Sequence, residues 1–147
     1  MVADEEQMRF YPRPRTKDEA HEWIGRNLRL YKEHGFGFWL METLDAGDFL
    51  GYCGIRPLTI EGIEEVEMGW HTRKQFWGQG LATEAAAACR DLAFERFNLP
   101  LLVATIDPGH AASIRVAEKI GMRPERHTVL RHAVLDDWPC VVYSVER

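Results

Sequence analysis

The turn Gln75-Phe76-Trp77-Gly78-Gln79-Gly80 separates an extended run, Val66 to His71, from an alanine-rich helix that starts near Leu81. A turn with two glycines that feeds a helix start aims several backbone N–H groups at one point. The first donors of a helix have no partner inside it, and the macrodipole adds roughly half a positive charge there. Gly78 and Gly80 carry no Cβ to block close approach, so the spacing predicts a cradle for an anion, a phosphate or pyrophosphate above all. Two common phosphate loops are excluded. No Lys-Ser or Lys-Thr pair follows the glycines, and no third glycine completes a dinucleotide fingerprint. A structural strand-to-helix turn satisfies the same spacing, so the flanking sequence has to decide between the two.

The elements that must position this turn are legible on both sides. Thr16 with Glu19 makes a capping box, and Ala20, Trp23, Ile24, Asn27 and Tyr31 recur at helical spacing up to Gly35. Phe36, Phe38 and Leu40 alternate with Trp39 and Met41, and Asp45 to Asp48 turns the chain. A run from Phe49 to Ile55 follows and stops at Pro57, which gives a hairpin. Glu64 to His71 reads as a strand with Val66, Met68 and Trp70 on one face and Glu65, Glu67, Gly69 and His71 on the other. The helix after the turn runs to about Phe97, with Leu81, Ala85, Ala88, Cys89 and Leu92 on its packed side. Leu101 to Ile106 is a continuous apolar strand, suited to a sheet centre covered on both faces. After Asp107-Pro108-Gly109, a helix from about Ala111 to Ile120 ends at Gly121. Two last strands, about Thr128 to Val134 and Cys140 to Glu146, flank a turn at Asp136-Asp137. Hairpins leading into strand–helix–strand predict an α+β fold with a mixed sheet.

The 147 residues form one expected domain, 1–147, able to bury roughly 70% of the surface of its unfolded chain. No apolar run approaches the roughly 20 residues of a membrane span, and Asp4, Glu5 and Glu6 are the wrong chemistry for a signal peptide. Cys53, Cys89 and Cys140 are odd in number and set in apolar runs, which predicts free thiols packed in a core and a cytoplasmic setting, with no metal site. A net charge of −5 argues against nucleic acid as a partner and suits a cationic one.

Four blocks, in order, carry a resemblance. Gln75, Gly78 and Gly80 fill the fixed places of the Gln/Arg-x-x-Gly-x-Gly/Ala loop that binds acyl-CoA pyrophosphate in GNAT-type N-acetyltransferases. His110-Ala-Ala-Ser-Ile-Arg-Val-Ala-Glu-Lys-Ile-Gly-Met122 resembles the superfamily's second signature, Asn-x-x-Ser followed by a helix ending Glu-Lys-x-Gly-Phe. Gly35-Phe-Gly-Phe-Trp39 and Phe49-Leu-Gly-Tyr-Cys-Gly-Ile55 are similar to its second and third strands. The branch resembled is that of the ribosomal-protein N-terminal acetyltransferases. Members of the superfamily carry a further strand and helix upstream of the point where Met1 stands. Its absence is expected to leave a strand edge open around Phe38 and to favour self-association, as a homodimer.

The resemblance implies a mostly antiparallel sheet flanked by helices, with a V-shaped splay between two parallel strands. It implies acetyl-CoA as cosubstrate and direct attack of a primary amine on the thioester, without an acyl-enzyme. Glu67 matches a glutamate of the family's Glu-x-Gly-Tyr/Trp strand and is the expected base; Glu65 faces the same way. Ser113 is the expected proton donor to the departing thiolate, since Ala117 replaces the tyrosine that many members use. The cofactor set comprises Gly69, Trp70 and His71 on the strand, Gln75, Phe76, Trp77, Gly78, Gln79, Gly80, Leu81 and Ala82 at the cradle, and His110 and Ser113 beyond it. Neutralising an α-amine of pKa near 7.8 at pH 7 costs about 1 kcal/mol, and neutralising a lysine near 10.4 costs about 4.6. A single carboxylate base therefore suits a protein N-terminal α-amine or a small molecule of similar pKa; a polyamine or aminoglycoside is the second enzymatic option. The alternative from another class is a non-catalytic acyl-CoA-binding module, suggested by His110 in place of asparagine and by Ala117.

Overall fold

The computed structural model describes residues 1–132 and 135–147, with side chains for all of these except 131, 132, 135 and 136. Helix α1 (Lys17–His34) starts at the expected capping box: Thr16 Oγ1 accepts from the Glu19 N–H at 3.2 Å and the Glu19 carboxylate accepts from the Thr16 N–H at 2.8 Å. Such a cap contributes about 1 kcal/mol. Asn27 and Tyr31 on this helix grip strand β1 (Phe38–Glu42). Asn27 Oδ1 accepts from the Phe38 N–H at 2.7 Å, while Asn27 Nδ2 and Tyr31 Oη donate to the Phe38 carbonyl at 2.8 and 2.7 Å. The strand edge expected to lie open around Phe38 is therefore closed there by α1. Ile24, expected on the packed side of the helix, is 49% exposed.

Strand β2 (Phe49–Ile60) does not stop at Pro57. The Ile55 N–H bonds back to Gly37 on the β1 side, and β1 pairs with β2 only as far as Gly54. Pro57 faces the same side beyond the end of β1, so its missing donor costs no ladder bond. The chain then reverses through Glu61 and Gly62, at φ 51° and 83°, the positive values a two-residue hairpin turn requires. Strand β3 (Ile63–Thr72) pairs with β2 along its whole length.

Helix α2 (Leu81–Glu95) buries Ala86, Cys89, Ala93 and Phe94, and Ala88 is exposed. The packed stripe is thus rotated from the expected one: small side chains at 86, 89 and 93 let the helix approach the sheet, and Leu81 faces the cleft described below. Strand β4 (Leu101–Ile106) holds the sheet centre, with Leu102, Val103 and Ala104 at most 2% exposed. Helix α3 (Ala111–Lys119), strand β5 (Arg123–His132) and strand β6 (Leu135–Glu146) complete the fold. The last hairpin corrects the sequence expectation. His132 pairs with Leu135 and Leu130 with Trp138, so Asp136 and Asp137 belong to β6 rather than to a turn. Asp137 faces solvent, which a strand tolerates as readily as a turn does. Val134, expected at the end of β5, lies outside the described residues.

The sheet order is β1-β2-β3-β4-β6-β5, antiparallel except for β3 and β4. That parallel pair meets at one position, Glu67 opposite Val103, and the two strands splay apart from it. Met68, Cys53, Ile55 and Leu102 pack in one cluster with Ala86 and Phe94 of α2. The alternation along β3 therefore puts Glu67 and His71 on the opposite face. Cys53, Cys89 and Cys140 are buried free thiols. Among the described residues no helix is long and apolar enough to cross a membrane.

Candidate active site

The cradle forms because the chain leaves β3 through a single 3₁₀ turn, Lys74–Phe76, and enters α2 through two left-handed glycines, Gly78 at φ 76° and Gly80 at φ 81°. Trp77 anchors the turn by donating from Nε1 to the Thr72 carbonyl at 2.9 Å, and Gln79 Nε2 donates to the Gln75 carbonyl at 3.2 Å. Gly80 is the N-cap of α2 and offers no side chain to its first turn. The Glu84 N–H bonds to the Gly80 carbonyl, but the N–H groups of residues 78 to 83 have no acceptor among the described residues. A Cβ placed on Gly78 or Gly80 would meet no protein atom within 4 Å. Of residues 78 to 83, all except Gln79 line open space at a helix N-terminus, the arrangement that binds phosphate.

The cradle forms one end of a cleft of about 480 Å³. Of the expected cofactor set, Trp70, His71, Phe76, Trp77, Gly78, Gly80, Leu81, Ala82, His110 and Ser113 line this cleft. Gln75, Gln79 and Gly69 do not. The two glutamines face solvent from the turn, and Gly69 packs under the Phe38 ring, which a Cβ would approach to 3.0 Å. Sequence reasoning missed a third wall, the segment before α1. Glu6, Gln7, Arg9, Phe10 and Tyr11 line the cleft, pinned by buried Met8 and by Glu6 and Gln7, which bind Lys74. The signal was present in the aromatic pair Phe10-Tyr11 ahead of a capping box, but nothing in its spacing says where a coil lies.

Ser113 is the third residue of α3, and the cap of that helix is His110, whose Nδ1 accepts from the Ser113 N–H at 3.3 Å. Capping is therefore the histidine's task, and the Ser113 hydroxyl has no partner among the described residues. The His110 ring stacks on Phe10 at 4.0 Å, and burial, reinforced by nearby Arg9, lowers its pKa. Glu67 departs from its expected place. It is 7% exposed and does not line the cleft: Arg56 Nε and Nη2 both lie 2.7 Å from its Oε2, and Thr105 Oγ1 donates to its other oxygen. Glu65 is likewise taken, by Arg126 at 2.7 Å. Glu65 and Glu67 thus both meet guanidinium groups.

His71 occupies the wall itself, 8% exposed. Its Nδ1 lies 3.2 Å from Tyr52 Oη, a contact set by the register that pairs Tyr52 with His71, and its ring stacks parallel to Tyr11 at 5.9 Å. Burial first, then the positive charges around it, push its pKa down to about 4, so the imidazole is neutral at physiological pH.

Known proteins of one kind resemble this chain in sequence and in fold. The profile of the Acetyltransferase (GNAT) domain matches residues 1–123. The Bacillus subtilis protein YkkB is 43% identical over 119 residues, 81% of this chain and 69% of its own. An acetyltransferase from Agrobacterium tumefaciens superimposes with a TM-score of 0.79 at 28% identity, covering 99% of this chain and 81% of that one. Spermidine N-acetyltransferase from Vibrio cholerae, solved with CoA and spermine, superimposes with a TM-score of 0.75 at 15% identity over 99% of this chain and 85% of that one. That likeness is one of fold. The ribosomal-protein-S5-alanine acetyltransferase of Vibrio fischeri gives the same score and identity, so the expected ribosomal-protein branch is one of several equal neighbours. With the profile matching residues 1–123, most of its length, the chain belongs to the GNAT acetyltransferase family.

Proposed function

We propose that the protein transfers an acetyl group from acetyl-CoA to a primary amine by direct attack on the thioester. One observation carries this reading: the free N–H groups of residues 78 to 83 on a left-handed two-glycine turn, opening into a cleft that leads to Ser113. The donors and open space of the cradle fit a pyrophosphate. Arg9, Arg115 and Lys119 line the same cleft without a carboxylate partner among the described residues and add positive charge for a phosphorylated ligand. Acetyl-CoA supplies the activated acyl carbon and a thiolate leaving group. The chain's own residues hold its anionic end, shield the reacting atoms under Phe10 and Tyr11, and donate a proton from the Ser113 hydroxyl to the thiolate. Glu67, in its pair with Arg56, fixes β2 against β3 behind that wall. The acceptor class is an α-amine or a small-molecule amine of similar pKa, because no carboxylate among the described residues of the cleft is free to strip a lysine: Glu6 there is held by Lys74.

Acetyl-CoA at 100 times its Kd is expected to stabilise the fold by about 2.7 kcal/mol, which raises Tm by on the order of 5–10 °C. A folded protein that shows no shift at millimolar acetyl-CoA would sink the reading. Thiol release from acetyl-CoA with glycinamide, an alanine-terminated peptide and spermidine then identifies the acceptor class.

Ser113→Ala separates a proton donor from a bystander. A CoA thiolate with a thiol-like pKa of about 8.5 gains only modestly from a donor at neutral pH. The variant is expected to slow turnover by about one to two orders of magnitude at unchanged acetyl-CoA affinity. Turnover equal to the parent's would leave Ser113 as a helix residue only.

A further inference from the structure

An amine that attacks a thioester must lose a proton, and the carboxylate expected to take it does not line the cleft, being held by Arg56 and Thr105. Among the described side chains that line the cleft, three accept a proton between acid and neutral pH: Glu6, His110 and His71. Glu6 is occupied by Lys74. Neutral His110 uses its Nδ1 lone pair to cap α3, so its other nitrogen carries the hydrogen and is a donor. His71 remains. Its Nδ1 pairs with Tyr52 Oη at 3.2 Å, and in the tautomer that donates from Nδ1 its Nε2 is a bare acceptor.

Resting on the acetyl-transfer reading above, we infer that His71 is the proton acceptor for the attacking amine, oriented by Tyr52. The amine lone pair forms the C–N bond to the acetyl carbon, and the C–S bond breaks with its electron pair on sulfur. The thiolate takes the Ser113 hydroxyl proton, and the proton leaving nitrogen goes to His71 Nε2. Exchange through water then returns a proton from His71 to the serine oxygen, so both groups end as they began.

The groups that face His71 suit this role. Tyr11 and Tyr52 lie against it as neutral phenols whose pKa values burial raises. Arg15 and the chain's N-terminal amine contribute only positive charge, which disfavours imidazolium. The imidazole is consequently a free base before the amine arrives and sheds the proton readily afterwards. A weak base suffices, because the nitrogen becomes far more acidic once it is bonded to the acyl carbon.

The test uses the full chain with His71→Gln and His71→Gly, measuring acetyl-CoA affinity by calorimetry and thiol release with the three-amine panel. Both variants are expected to keep acetyl-CoA affinity within about threefold and to lose kcat by roughly 10²–10⁴-fold. Millimolar imidazole restores part of the rate to His71→Gly, where the ring has left a space, and none to His71→Gln. Should His71→Gly fail to fold, the kcat of His71→Gln decides. A His71→Gln variant that turns over like an active parent overturns this inference and leaves acetyl transfer standing. Lost kcat accompanied by an equal loss of acetyl-CoA affinity, with no response to imidazole, overturns it as well by making His71 a structural residue. A parent that binds no acetyl-CoA overturns both.

Discussion

Gly80→Val is expected to lose acetyl-CoA affinity by roughly 10²–10³-fold while keeping a native-like circular dichroism spectrum. Gly80 sits at φ 81°, where a β-branched residue costs roughly 1–2 kcal/mol, a loss an ordinary domain survives. Apart from its chain neighbours, no described residue lies within 4 Å of the new Cβ, so the side chain enters open space beside the cleft. The cradle then loses at least two hydrogen bonds to a charged group, each worth about 1.5–3 kcal/mol. Gly62→Val is the matched control. Gly62 has φ 83°, its Cβ also meets nothing within 4 Å, and it sits in the β2–β3 hairpin. The two variants should lose similar stability, and Gly80→Val alone should lose acetyl-CoA. Equal affinity in both would mean that the cradle lies elsewhere.

That contrast bears on what a sequence can disclose. The cradle was legible because its chemistry is local: glycine spacing fixes backbone dihedrals, and a helix start leaves donors free wherever it occurs. The capping box at Thr16, the end of α1 at Gly35 and the apolar run of β4 were legible for the same reason. Features that depend on a neighbour in space were not. Pro57 reads as a stop, and it sits inside β2 only because β1 has already ended beside it. The packed stripe of α2 is set by how closely the sheet lets alanines approach. Glu67 has the right residue type and the right strand face, but nothing local to it announces Arg56, which lies eleven residues earlier and arrives by cross-strand register. His71 lies on the same face, and its value comes from Tyr52, nineteen residues away, and from the coil segment carrying Tyr11. The strand and its face were therefore legible, while which of its side chains meets the cleft was decided by partners that arrive from elsewhere in the chain.

Acid is expected to weaken the fold between about pH 6.5 and pH 4, with His71 as the main cause. Its pKa is about 4 in the folded chain against 6.5 for the free side chain, because burial removes water from the imidazolium and nearby positive charges oppose it. Below pH 6.5 the unfolded chain therefore binds a proton that the folded chain refuses. Stability is complete above 6.5 and falls as pH drops, by about 3 kcal/mol near pH 4. His110, shifted in the same direction by burial, adds to the slope. Glu19, with its pKa lowered to about 2 chiefly by Arg13, acts below the ordinary glutamate range and so outside most of this window. Chemical denaturation near pH 7 and near pH 4.5, on the parent and on His71→Gln, isolates the histidine. The variant should be distinctly less sensitive to the change, since glutamine takes up no proton in either state. If parent and variant weaken in parallel, His71 is well solvated in the folded protein. It would then carry a proton through much of the mildly acidic range and would not stand ready as a neutral acceptor for the amine.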